Sequence, residues 1–490
     1  MASAVDVKRL GLGVAATLVM AVLVFFGTGL HPFWPLMWFA PLPVLLFANR
    51  ASWWGAALVA GFGLMLGYLN QWVLFHDLLR APPPILAQIY LSEGVMFALA
   101  VLLYRALLRR GAYWSALVSV PVVVVSFEYL LNVTSPHGTA GSLAYSQLGF
   151  LPFLQLASIT GPWGMSFLVL AFSTGIGVCL HLYPTAPRQA WDIGGAVAVV
   201  LIVVLAFGSV RLFTHQPGAD VKVGLVASDG ANGENDQVFE PGTPADQLFA
   251  QYASSVRTLA AQGAQVVVVP EKTAVVLDET EAETDSFFQK LADETGTGIV
   301  VGELRIRHET QPDQKKKYNE ARVYLPGKAP ASYDKEHMLP PFESNLTPGD
   351  SLTVLSRDAA TWGVAICKDM DFTPLSADYG RKGVGLMLVP GWDFGIDYIQ
   401  HGHIAILRGV ESGFSIVRSA KGGSLYVSDD RGHVLAEVKS DSSPFTTLLA
   451  TVPAGHDDTF YDRLQDWFAY LSVLLLVACL VMVFRPRRKT

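Results

Sequence analysis

Charge and cysteine are both scarce in this chain. Asp, Glu, Lys and Arg make up only 16% of its 490 residues, and the mean hydropathy is +0.37. Ordinary globular domains carry about a quarter charged residues, so the shortage excludes a chain that is soluble throughout. Three cysteines are too few for a disulfide framework. Cys179 and Cys479 lie in apolar runs, where a small hydrophobe is the ordinary reading, and Cys367 stands alone in the acidic region. Zinc-type ligand spacing, internal repeats and low-complexity stretches are all missing. An excess of base is missing too: the net charge is −7, which gives no support to nucleic-acid binding.

The charge that exists is segregated. Residues 212–465 hold 22 Lys+Arg and 36 Asp+Glu, a net of −14, while the remainder is +7. Two solvents are implied, water for the acidic part and lipid for the rest. A membrane helix needs about 20 predominantly apolar residues. Eight runs qualify: 10–29, 33–49, 54–75, 86–107, 114–133, 163–183, 192–212 and 466–484, the second interrupted by Pro35, Pro41 and Pro43. The first is too long and continuous for a removable signal peptide, so the N-terminal helix is expected to stay.

Orientation follows from basic residues in the short connections. Lys8, Arg9, Arg50, Arg105, Arg109, Arg110, Arg188, Arg485, Arg487, Arg488 and Lys489 fall on one side. The other side's short loops carry only Arg80, and 134–162 has no Lys or Arg. Eight spans then put both termini in the cytoplasm. The expected domains are 1–212 in the membrane, 213–465 outside it, and 466–490 as a last span with a basic tail.

The outside region reads as α/β. Short β-branched runs at 221–228, 266–270, 297–304, 362–367 and 385–392 alternate with helical periodicity over 244–265. The polar run 307–320 reads as a solvated loop. Glu271 ends one strand, Cys367 ends another, and Lys335 lies in "YDKEHM". Strand ends in such sheets converge on a crevice. Only a thiolate is a strong nucleophile; a carboxylate can take its proton and an ammonium can stabilise an oxyanion. Singly, each residue has a plain alternative: an inert buried cysteine, a capping carboxylate, a surface lysine. Glu128, in an apolar span, is expected to face the bundle interior with a hydrogen-bonding partner. His401 and His403 look metal-like but lack carboxylates at ligand spacing, and no metal is expected. Trp362, Trp392 and Phe394 read as core before ligand platforms.

The order Glu, Lys, Cys, with "PE" after a strand, "YDKEHMLPPFE" and "GVAICKDMDF", resembles the nitrilase (carbon-nitrogen hydrolase) superfamily. The eight-span frame resembles the bacterial apolipoprotein N-acyltransferase family. So do "FWPLMWFAPLPVLLFA" (33–48), "YSQLGFLPFLQLASITGPWGMSFLV" (145–169), "YNEARVYLPG" (318–327) and "QHGHIAILRGVESGFSIVRSAKGG" (400–423). The resemblance implies an extracytoplasmic αββα sandwich carried by an eight-span domain of the bacterial inner membrane. It implies Glu271 as base, Lys335 as oxyanion donor, Cys367 as nucleophile and Glu343 in support, with no cofactor and a monomeric enzyme. An acyl chain would pass from a phospholipid, through a thioester, to the N-terminal amine of a diacylglyceryl-cysteine lipoprotein. This chain departs from the family pattern around the pocket. Cys367-Lys368-Asp369 replaces Cys-Tyr-Glu, "PGWDF" (390–394, with Trp392) replaces "NDAWF", "PPFE" replaces "PFGE", and Lys421 stands for an asparagine. A membrane-bound amidase or hydrolase, a paralogue with a changed acceptor, and an inactive domain on a transporter are the competing expectations. A transporter calls for inverted repeats, and none is visible.

Overall fold

The computed structural model describes residues 4–214, 218–230, 237–308, 315–357 and 360–486. Arg487, Arg488 and Lys489 of the basic tail, and 309–314 of the polar run, lie outside them. The chain forms two compact units, one of Met1–Val133, Gly141–Phe213 and Asp466–Thr490, the other of Thr134–Ala140 and Thr214–Gln465.

In the first unit, six helices among the described residues are long and apolar enough to cross a membrane: Lys8–Gly27, Pro83–Leu108, Tyr113–Thr134, Ala157–Leu182, Pro187–Phe213 and Trp467–Phe484. The other two expected spans are broken. Run 33–49 becomes a 3₁₀ turn, Trp34–Trp38, and a short helix, Leu42–Ala48; its three prolines remove the N–H groups a continuous helix needs. Run 54–75 is helical over Trp53–Gly67, then tightens to 3₁₀ at Tyr68–Gln71 and widens to a π-turn at Val73–Leu78. Asn70 lies in the tightened turn, where its amide donates to the carbonyls of Phe25 and Thr28 at 3.0 and 2.9 Å. Glu128 does have partners: the Leu143 N–H at 2.7 Å and the Ser142 hydroxyl at 3.2 Å.

The second unit is rich in sheet. One sheet runs in the order Thr446–Pro453, Asp220–Ala227, Val266–Val268, Gly298–His308, Lys315–Tyr324, Ala331–Asp334, with Val275–Leu277 also paired to Gly298–His308. The other runs Val434–Lys439, Ser424–Ser428, Ser415–Lys421, Leu386–Trp392, Ala360–Val364, Thr353–Arg357. Alternation along the strands sends side chains to opposite faces. Val223, Leu225, Val268, Trp362, Val364, Leu388 and Val417 enter one core shared by both sheets. Val226, Val267 and Ile299 instead meet Tyr252, Val256 and Leu259 of the helix Thr243–Ala261, and Phe288 and Leu291 of the helix Asp278–Thr295. Met387, Val389 and Ile416 meet Leu375 and Tyr379 of the helix Thr373–Arg381, and Ala405 and Ile406 of the helix Ile404–Ser412.

The reading of 307–320 as a loop is corrected in part. Residues 315–320 are strand, paired antiparallel with 303–308. Their polarity has a cross-strand reason, since Arg307 donates to Glu320 at 2.7 Å and to Asp334 at 3.0 Å.

Candidate active site

In each sheet the central strands are parallel: Asp220–Ala227, Val266–Val268 and Gly298–His308 in one, Ala360–Val364, Leu386–Trp392 and Ser415–Lys421 in the other. Glu271, Cys367 and Asp393 all follow the carboxyl ends of such strands. Strand direction therefore delivers them to one end of the sheets, where open α/β sheets place their crevices. The Glu271 N–H donates to the Gly391 carbonyl at 3.3 Å, joining the two sheets there. Lys335 follows the edge strand Ala331–Asp334, and its N–H donates to the Asn319 carbonyl at 2.8 Å. Gly302 permits the close approach behind the carboxylate, because a Cβ there would lie 2.5 Å from the Cα of Glu271.

The expected residues Glu271, Lys335 and Glu343 meet, all three at most 2% exposed. Lys335 Nζ donates to Glu271 Oε1 at 3.0 Å and to Glu343 Oε2 at 2.9 Å. Asn319 Nδ2 donates to Glu271 Oε1 at 2.5 Å and Glu343 Oε1 at 2.8 Å. Lys272 adds a second ammonium, 2.5 Å from Glu343 and 3.6 Å from Glu271. Burial works against the Lys335 charge, but Glu271, Glu343 and Cys367 outweigh it and hold the group well above the ordinary lysine range. Burial likewise raises Glu343, yet Lys335 and Lys272 bring it down to about 2. Glu271 keeps one oxygen in reserve: among the described residues, its buried Oε2 has no hydrogen-bond partner.

Cys367 opens a 3₁₀ turn, Cys367–Asp371, at φ +45°, a left-handed conformation that strains a side-chain-bearing residue. Its Sγ is 3.6 Å from the Trp392 carbonyl and 3.9 Å from Arg418 Nη2. Burial and Glu271 push the thiol up to about 11, opposed by His401, Lys335 and Arg418. The Sγ, an Asp393 oxygen and a His401 nitrogen lie within 4.8 Å of one another, a spacing a metal would accept. Arg418 instead engages both Asp393 oxygens, at 2.8 and 2.5 Å, which makes the group an ion-pair network.

The pocket candidates divide. Trp392 lies under Lys421, whose Nζ is 3.7 Å from the ring centroid, with Lys272 Nζ at 5.3 Å. Asp369 is fully buried and ties the two loops together. It accepts from Tyr333 Oη at 2.9 Å, from the His337 N–H at 2.8 Å and from the Ile366 N–H at 3.0 Å. Lys368 is buried 3.3 Å from Asp371 Oδ2 and 3.3 Å from His137 Nδ1. His403 pairs with Glu437 at 3.0 Å, and Trp362 is in the core. Phe394 stands 5.5 Å from the half-exposed Phe342. Lys272, Asn319, Asp393 and Arg418 were not singled out from sequence. Asn319 sat inside a run read as loop, and Lys272, next to Glu271, is an ordinary lysine until the fold turns it inward.

Residues 15–175 match the model of the apolipoprotein N-acyltransferase N-terminal domain, and residues 240–449 match the carbon-nitrogen hydrolase model. The chain is 27% identical to an apolipoprotein N-acyltransferase of Geobacter metallireducens over 485 residues, covering 92% of each chain. It is 23% identical to apolipoprotein N-acyltransferase 2 of Treponema denticola, covering 70% of this chain and 71% of that one. Among solved structures it is similar to an amidase from Nesterenkonia sp., at 20% identity and a TM-score of 0.39, covering 53% of this chain and 98% of that one. In both its membrane part and its sheet part, the chain is therefore similar to the apolipoprotein N-acyltransferases of the nitrilase (carbon-nitrogen hydrolase) superfamily.

Proposed function

We propose that this protein is a phospholipid-dependent N-acyltransferase of the bacterial inner membrane. Its αββα catalytic domain lies outside the cytoplasm, and it works through a thioester on Cys367. Glu271 Oε2 takes the thiol proton as Sγ attacks the sn-1 ester carbonyl of a phospholipid. The oxyanion that forms is stabilised by the Lys335 ammonium. Collapse breaks the carbon–oxygen bond, and the leaving alkoxide takes the proton back from Glu271, releasing a lysophospholipid. The N-terminal amine of a diacylglyceryl-cysteine lipoprotein then attacks the thioester. Its proton passes to Glu271, the carbon–sulfur bond breaks, and the thiol is restored.

The observation that carries this reading is the buried Glu271–Lys335–Glu343 cluster, of which Glu271 and Lys335 act electrostatically on the Cys367 thiol, with the Glu271 Oε2 unengaged among the described residues. Glu343 also pairs with Lys335, so the ammonium keeps an anionic partner when Glu271 becomes protonated. Similarity to relatives that are apolipoprotein N-acyltransferases supports the choice of amine over water as acceptor.

Incubation of the purified enzyme with phosphatidylethanolamine is expected to give an acyl thioester on Cys367, seen by mass spectrometry. Wild-type production of lysophospholipid by Cys367→Ala would exclude this nucleophile. A diacylated lipopeptide added next decides the acceptor: triacylated product supports transfer, and free fatty acid alone supports a hydrolase. Glu271→Ala and Lys335→Ala are expected to abolish acyl-enzyme while still inserting in membranes.

A further inference from the structure

The chemistry above uses Glu271 and Lys335. Other charged groups also stand close to the sulfur. Arg418 Nη2 lies 3.9 Å from Sγ, and a His401 ring nitrogen lies within 4.8 Å of it. Neither group is loose. His401, 18% exposed, is faced by Asp393 Oδ1 at 3.3 Å, by Asp371 Oδ1 at 3.7 Å and by Asp397 Oδ2 at 3.9 Å. Arg418 is fixed by both oxygens of Asp393. Asp371 is itself paired with Lys368, and its carbonyl accepts from the N–H and hydroxyl of Thr139 at 3.0 and 2.6 Å.

Three carboxylates around one imidazole favour its charged form. Burial opposes that charge, but Asp371 and Asp393 outweigh it and hold His401 well above the ordinary imidazole range. The thiol is thus faced by Glu271 and Lys335 from the first sheet, and by Arg418, His401 and Asp393 from the second sheet and the segment after it. Tyr426 also interacts with it electrostatically.

We propose that His401 and Arg418 form a cationic wall behind Sγ that stabilises the Cys367 thiolate, making His401 a positioning residue for both halves of the acyl transfer. The inference rests on Cys367 as nucleophile. In the first half the wall stabilises sulfur as it gives its proton to Glu271 and forms the S–C bond. In the second half, when the amine's N–C bond has formed and the C–S bond breaks, the departing thiolate meets the same two cations. It then recovers a proton from Glu271. A buried thiol beside a carboxylate otherwise resists ionisation at the cost set by burial and by like charge.

The test is the pH profile of Cys367 alkylation by iodoacetamide in the full-length, detergent-solubilised protein, followed by peptide mass spectrometry so that Cys179 and Cys479 are read separately. His401→Gln is expected to move the midpoint upward and slow alkylation about tenfold at fixed pH, the equivalent of about one unit. His401→Arg restores the charge and is expected to recover most of the rate. His403→Gln, whose imidazole pairs with Glu437, is expected to leave the profile unchanged. An unchanged midpoint in folded His401→Gln, or no recovery in His401→Arg, overturns the proposal.

A second measurement needs no variant. Of the two forms of imidazole only the neutral one reacts with diethyl pyrocarbonate, so His401 in the wild type should resist it at about pH 7, above the ordinary imidazole value of about 6.5. Carbethoxylation of His401 at that pH overturns the proposal. Failure of the nucleophile assignment looks different: Cys367→Ala would keep making lysophospholipid whatever the alkylation profile shows.

Discussion

In the helical unit, Thr17, Ser119 and Thr174 donate their hydroxyls to carbonyls of their own helices, at 3.1, 2.7 and 2.8 Å. Glu128 is met by an amide and a hydroxyl, and the Arg105 guanidinium by the carbonyls of Ala48 and Ala51. The sheet unit treats buried charge differently. Lys335 lies between Glu271 and Glu343, Arg418 grips Asp393, and Arg305 lies 3.2 Å from Glu303 and 3.3 Å from Glu320, all three fully buried. Neutral dipoles suffice to satisfy a single ionisable group among apolar helices. Opposite charges held in contact need a rigid frame and give little net stability, because desolvation offsets their attraction. For Lys335 and Arg418, which act on Cys367, such pairing fits a chemical role, whereas these polar groups of the described spans are met by neutral dipoles.

The contrast can be tested by removing one partner on each side. Lys335→Met leaves two buried carboxylates facing each other and is expected to cost about 3–5 kcal/mol of stability, with thioester formation lost. Differential scanning fluorimetry of the solubilised protein measures the first effect, and mass spectrometry of Cys367 the second.

Acid should act on the same cluster. The folded-state value of Glu343 lies below its unfolded one, so its contribution is complete above about pH 4.5 and disappears as pH falls toward about 2. The loss is on the order of 3 kcal/mol. Glu343→Gln should flatten that acid limb in a pH series of melting curves, and an unaltered limb would show that Lys335 and Lys272 do not hold this carboxylate.

Glu128→Gln keeps an acceptor for the Leu143 amide and is expected to change stability by only about 1 kcal/mol. Thioester yield should stay near wild type. A collapse of acylation in a folded Glu128→Gln protein would move this residue from structure to function.

Legibility in the sequence followed the same divide. Length and hydropathy suffice to place the long helices, because lipid requires nearly every residue of a span to be apolar. The spans at 33–49 and 54–75 broke where prolines and Asn70 impose local demands that a sum over 20 residues averages away. In the sheet unit, short apolar runs located five of the thirteen described strands, and the ends of two of them lead to Glu271 and Cys367. Asn319 escaped because its strand is polar for a cross-strand reason, the pairing of Arg307 with Glu320 and Asp334. Arg418 and Asp393 escaped because each becomes informative only once its partner is beside it. Lys368 shows the limit of adjacency: it neighbours Cys367 in sequence, yet its ammonium is turned toward Asp371 and His137.

Residues 134–140 belong to the sheet unit although a stretch of helical chain separates them from the rest of it. The fold is thus discontinuous, and no single excised segment contains all of it without also carrying the helical residues 141–213. A recombinant fragment beginning at residue 214 would lack Thr139, leaving the Asp371 carbonyl without two donors, and would lack His137 beside Lys368. Anyone cutting this enzyme down to a soluble core would have to graft that seven-residue strap back on, beside the turn that bears Cys367.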